Sequence, residues 1–147
     1  MATVSADTSF LFSLFGSDVH TAAAQGWARQ SHLPITVSVL NRYELGNAIR
    51  FAAFRKAISQ ADALGSLAAF ETDLKSGNLQ LAYCDLAAVV AEAARLSELH
   101  TLKGGHRSFD IVHVATARVL KATTFLTFDA NQRKLANIAR MVAGPET

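Results

Sequence analysis

A single cysteine, two prolines and one tryptophan are spread over 147 residues. Cys84 by itself forms no internal disulfide, and one thiol cannot build a cysteine zinc site, so a reducing compartment is the expected setting. Charge is scarce too: only 18% of residues carry it, and 14 basic against 12 acidic side chains leave a formal net charge of +2. That excess is compatible with a polyanionic partner but too small to argue for one. Apolar runs are short, and none approaches the roughly 20 residues a membrane-spanning helix needs. The stretch Met1 to Asp7 lacks the basic residues of a secretory signal, and Asp7 interrupts it before the apolar segment Phe10 to Phe15. The expectation is a soluble, cytoplasmic protein.

What is present is core-forming material. Half of the residues are hydrophobic and the mean hydropathy is +0.20, whereas disordered chains combine low hydrophobicity with high net charge. The length suits one domain, taken as residues 1–147.

Local pattern predicts strands and helices in alternation. Thr3 to Ala6 reads as a strand ending at Asp7, followed by a short apolar helix from Thr8 to Phe15 that Gly16 stops. Asp18 is the expected N-cap of a second helix through Arg29. The β-branched triplet Ile35-Thr36-Val37 makes a second strand, and Ser38 caps a long helix carrying Glu44. From Arg55 to Lys75, Ile58, Ala61, Leu64, Leu67, Ala68 and Leu74 recur at helical spacing. A third strand spans Leu79 to Cys84, Asp85 caps a helix to about Leu99, and Gly104-Gly105 breaks the chain. Ser108 caps a helix over Phe109 to Lys121, Thr123 to Phe128 is the strongest strand signal, and a last helix covers about Ala130 to Arg140. Such alternation implies an α/β fold, a mainly parallel sheet with helices on both faces, a three-layer α/β/α sandwich.

In folds of that kind ligands bind outside the carboxyl ends of the strands. Asp7 and Asp129 directly follow strands, Asp110 opens a helix, and Glu44 lies a turn and a half into the helix after the second strand. Each could be an ordinary cap or turn residue. Gathered together, carboxylates repel and take up protons unless a cation neutralises them. Hard ions such as Mg²⁺ or Mn²⁺ prefer oxygen ligands and stabilise charge developing on a phosphate. Acids without cysteine or paired histidines therefore point to phosphoester chemistry.

The residues around these acids carry a resemblance. Asp7-Thr8-Ser9, Tyr43-Glu44-Leu45, the segment from Arg107 through Asp110 to Ala115, and Phe125-Leu126-Thr127-Phe128-Asp129-Ala130-Asn131 together resemble the PIN-domain family, and among it the VapC-like toxin ribonucleases of type II toxin–antitoxin pairs. The likeness spans nearly the whole chain. It implies a divalent-metal-dependent endoribonuclease whose catalytic and metal-holding acids are Asp7, Glu44, Asp110 and Asp129, using Mg²⁺ or Mn²⁺ to hydrolyse RNA and leave 5′-phosphate and 3′-hydroxyl ends. Ser9 matches the hydroxyl supporting the first acid, Thr127 the hydroxyl two residues before the last, and Asn131 a position for a polar contact. Ala6 is smaller than the residue often found before the first acid. A cognate antitoxin and a homodimer are implied by the likeness alone.

Lys103, His106 and Arg107 are candidates for meeting RNA phosphates at the rim, against the plainer reading of a solvated basic loop. His113, three residues after Asp110, reads better as a packed histidine than as a ligand, and Trp27 better as core or interface than as a base-stacking platform. A PIN-type RNA-processing nuclease outside a toxin pair, or a catalytically silent PIN binding module, are the alternatives. A phosphotransfer protein with Asp7 as nucleophile is disfavoured, because the haloacid-dehalogenase pattern wants a second Asp where Ser9 stands.

Overall fold

The computed structural model describes residues 2–146. Five short strands, β1 (Val4–Ala6), β2 (Ile35–Ser38), β3 (Leu79–Ala82), β4 (Thr124–Leu126) and β5 (Val142–Gly144), form one sheet in the order β3-β2-β1-β4-β5. Every pairing is parallel, so helices must carry the chain back across the faces. These are α1 (Thr8–Phe15), α2 (Thr21–Gln30), α3 (Val39–Phe54), α4 (Gln60–Ser76), α5 (Leu86–Gly104), α6 (Ser108–Val119) and α7 (Ala130–Ile138). The expected α/β sandwich is what forms.

Strand side chains alternate between the two faces, and β4 shows the consequence. Leu126 joins a core with Phe10, Leu11, Leu45, Ile49 and Phe70, contributed by α1, α3 and α4. Its neighbour Phe125 joins a separate core with Val89, Leu96, Val114 and Leu135, contributed by α5, α6 and α7. Phe10 is fully buried, stacked on Phe128 at 5.4 Å and edge-on to Trp27 at 6.2 Å. Trp27 thus packs against the core, as its Ala-rich surroundings suggest. No helix among the described residues is long and apolar enough to cross a membrane.

Several local expectations need correcting. Asp18 does not cap α2: its carboxylate accepts from the backbone of His20 and the hydroxyl of Ser13, closing the turn before the helix. The helical pattern from Arg55 to Lys75 is broken, because Lys56 adopts φ 59° and Ser59 starts α4 with a capping box to Asp62. α5 continues to Gly104, where Gly105 ends it at φ 66°. Ser108 lies inside α6, whose N-cap is Arg107 without a side-chain bond. β5 has no counterpart in the sequence reading, since three residues, one of them the exposed Val142, carry too little pattern to register.

The strand order puts the topological switch at β1, with β2 and β3 on one side of it and β4 and β5 on the other. The C-terminal ends of β1 and β4 therefore open onto a shared crevice.

Candidate active site

Asp7 leaves β1 at this switch and is completely buried. Its backbone N–H still pairs with Leu126 of β4 at 3.0 Å, and its carboxylate caps α1 by accepting from Phe10 N at 2.8 Å. Ser9 donates its hydroxyl to both carboxylate oxygens at 2.9 and 2.8 Å. Thr127 donates to Oδ2 at 2.6 Å and Gln132 Nε2 to the same oxygen at 2.8 Å. Burial nevertheless pushes the Asp7 carboxyl above its ordinary pKa, with the bonds from Thr127, Phe10 and Ser9 opposing it. The hydrogen-bond partners of this buried carboxyl are all neutral donors.

Asp129 caps α7 by accepting from Gln132 N at 2.8 Å, while its own N–H is held by Thr127 Oγ1 at 2.9 Å. Thr127 thus bridges the first and last acids. Asp110, in the first turn of α6, accepts from Gln132 Nε2 at 3.2 Å and from Arg107 Nε at 3.1 Å. Three of the four expected acids accordingly meet at one residue, Gln132.

Glu44 comes to the crevice from α3 and meets His113 Nε2 at 3.2 Å. The tautomer follows from the neighbours. Asn41 Oδ1 takes donations from Ser38 N and Oγ, which turns Asn41 Nδ2 toward His113 Nδ1 at 3.2 Å. An amide nitrogen only donates, so Nδ1 accepts and Nε2 carries the proton it gives to Glu44. That bond holds the Glu44 carboxyl below its ordinary value, against partial burial. His113 is buried and acts as a packed histidine, with a positioning contact the sequence did not reveal.

The remaining expectations divide. Asn131 is exposed, and Lys103 and Arg107 face solvent. His106 does not: it is buried, with Nδ1 lacking a partner, which corrects its expected place at the rim. Gly104 permits this, since a Cβ there would stand 2.4 Å from His106 Nε2. Arg133 of α7 donates to the carbonyls of Thr127, Ala143 and Pro145 and ties β5 and the residue after it to the turn following β4.

Sequence reasoning missed Gln132 and Asn41. Gln132 occupies the third helical position after Asp129, where glutamine normally reaches back to the cap backbone. Here Thr127 fills that half of the box, and the glutamine side chain goes elsewhere. The donor set is all hard oxygen, the kind Mg²⁺ or Mn²⁺ takes. Among the described residues, no three acidic, histidine or cysteine side chains stand closed around a single point. Gln132 Nε2 sits between Asp7 and Asp110.

The sequence model of the PIN domain matches residues 5–138. No curated protein matches the chain in sequence. Among solved structures, it is similar to VapC20 of Mycobacterium tuberculosis, described as a sarcin-ricin loop cleaving toxin, with 15% identity, a TM-score of 0.70, and 95% of this chain and 97% of that chain covered. It is similar to VapBC2 of Rickettsia felis, bound to a promoter DNA fragment, at 15% identity and TM-score 0.63, covering 97% of both chains. FitAcB of Neisseria gonorrhoeae matches at 14% identity and TM-score 0.66, covering 96% of both. At such identities the likeness is one of fold. With the family match over nearly its whole length, the chain belongs to the PIN domain family.

Proposed function

We propose that this chain, a single PIN domain over residues 1–147, is a divalent-metal-dependent endoribonuclease whose metal is held by Asp7, Glu44, Asp110 and Asp129. The observation that carries the reading is the convergence of acids from separate elements on one crevice. Asp7, Asp110 and Asp129 share the contacts of Gln132, and Glu44 is held by His113, whose ring also meets Thr8 beside Asp7. A bound Mg²⁺ or Mn²⁺ would supply charge neutralisation at the scissile phosphate and an acidified water.

The chain's own groups do the rest. Ser9 and Thr127 fix the plane of the Asp7 carboxylate, so that its direction does not depend on substrate. His113 holds the Glu44 carboxyl in place and below its ordinary pKa. An open groove passes from Glu44 along Thr8 and Ser9 to Phe128 and His20, whose rings stack at 4.4 Å, offering single-stranded RNA a path beside the acids. Exposed Arg107, bonded to Asp110, and exposed Lys103 are the basic groups we assign to RNA phosphates at the rim.

The VapC-like resemblance, together with the description of VapC20 as a toxin, supports a cytoplasmic toxin of a type II toxin–antitoxin pair, working as a homodimer with a cognate antitoxin. Toxicity on expression, relieved by a small neighbouring gene product, separates this from an RNA-processing enzyme.

The test is cleavage of total bacterial RNA with Mg²⁺ or Mn²⁺, beside an EDTA control and Asp7→Asn. Discrete cuts that need the metal and vanish in the variant, with 5′-phosphate ends, are expected. Cuts bearing 2′,3′-cyclic phosphates would overturn the hydrolytic reading, and metal-bound protein that cuts no RNA would favour a binding role.

A further inference from the structure

Resting on the metal reading above, we propose that Gln132 is a placeholder for the cation. In the metal-free protein its amide nitrogen occupies the position between Asp7 and Asp110, and on cation entry the amide turns away from the two carboxylates.

The side chain is 4% exposed, so water does not compete for it. Nε2 donates to Asp7 Oδ2 at 2.8 Å and to Asp110 Oδ1 at 3.2 Å, which engages both of its hydrogens. Oε1, by contrast, is buried without any partner, an unfavourable arrangement for an acceptor. Donation to ionised acceptors is the strong kind and offsets that cost. An amide nitrogen donates and an amide oxygen accepts, so it is the nitrogen that faces the Asp7 and Asp110 oxygens.

The ordinary alternative for this residue is closed. Gln132 stands where a capping box would use its side chain on the Asp129 N–H, but Thr127 Oγ1 already holds that group at 2.9 Å. α3 and α4 show the regular device, with Asn41 and Asp62 bonded back to their cap backbones. Gln132 is thus free of a helix-capping duty and committed to the acids.

A cation changes the balance. Mg²⁺ binds oxygen at about 2.1 Å, closer to each carboxylate than Nε2 now stands, and a positive ion repels the amide hydrogens. Rotation about the last side-chain bond exchanges nitrogen for oxygen. Without a cation that rotation sets a carbonyl against two carboxylates; with one in place, the amide gives up both contacts and turns away.

The test is a Mg²⁺ titration of the full-length, ¹⁵N-labelled protein, following the Gln132 side-chain amide pair. The pair is assigned through its own backbone and by its loss in Gln132→Met. It is expected to shift with the same saturation as the backbone amides of Asp110 and Asp129. If those backbone signals move while the Gln132 pair stays, this inference falls and the metal reading stands. If Mg²⁺ moves no signal, both fall. Thermal melts give an independent readout: the rise in Tm on adding Mg²⁺ should be larger in Gln132→Met than in the wild type, because the variant loses the placeholder only from the metal-free state. A smaller rise would assign Gln132 a contact kept in the loaded protein and overturn the proposal.

Discussion

His113 Nε2 lies 3.2 Å from Glu44 Oε1, a contact between residues 69 positions apart that locks α6 to α3 across the crevice. Partners of this kind commonly tune a metal site by 10–100-fold when removed. His113→Ala is therefore expected to lower metal-dependent kcat/KM by about that factor. The acid limb of the pH profile should move to higher pH as well, since Glu44 loses the bond that lowers its pKa. An unchanged profile would make the histidine a packing residue only.

Thr127 places its hydroxyl 2.6 Å from a fully buried carboxylate oxygen of Asp7. Thr127→Val keeps the shape and removes the donor, leaving a buried acceptor short of one bond at a cost of about 1–3 kcal/mol. Urea unfolding of the metal-free protein should show that loss, and Thr127→Ser should recover most of it. Equal stability of the Val and Ser variants would contradict the role given to the hydroxyl.

Phe10 joins α1 to both Trp27 and Phe128 with no exposed surface. Its truncation to Ala leaves a cavity directly beneath the helix that Asp7 caps. Destabilisation of about 3–5 kcal/mol is expected, measurable by chemical denaturation. A cost below 1 kcal/mol would mean that the aromatic cluster repacks.

Glu92 accepts from Arg95 at 2.7 Å and from Arg118 at 2.6 Å, and the Arg95 bond comes first in holding its carboxyl below the ordinary 4.5. A carboxylate with a depressed folded pKa stabilises above its unfolded value and loses that contribution as pH falls through the folded one. Solvent screening keeps such pairs within about 1 kcal/mol. The Tm gap between wild type and Glu92→Gln should be widest at neutral pH and close as the medium becomes more acidic than the ordinary carboxylate range. A gap that widens on acidification would have the wrong sign.

Lys103 and Arg107 face solvent, and Arg107 Nε donates to Asp110 at 3.1 Å. If they meet phosphates, replacing both by Ala should weaken RNA binding across sequences and reduce the salt dependence of log K by about two. Binding with an unchanged salt slope would leave them as a solvated loop.

Much of this protein was legible before folding was considered. Alternating strand and helix signals specified the parallel sandwich, and Gly16, Ser38, Asp85 and Gly105 marked element ends because capping is a local matter of a few bonds. The acids stood out because strand ends in such folds face the ligand side. The sequence could not assign Asp18 a turn, end the helical pattern at Lys56, or find β5, since a three-residue strand exists only through its neighbour β4. Nor could it say what Gln132 does. By local rules that residue completes a cap; in the folded chain Thr127, two residues before Asp129, holds the backbone group, and the glutamine amide goes to Asp7, 125 positions away, and to Asp110. The same holds for Asn41 and His113, whose bonds join α3 to α6. Sequence determined which residue types could meet at the strand ends, through short-range propensity and hydrophobic period. Only tertiary packing decided which of them share a bond, because each buried donor can serve one set of neighbours, and those neighbours come from distant parts of the chain.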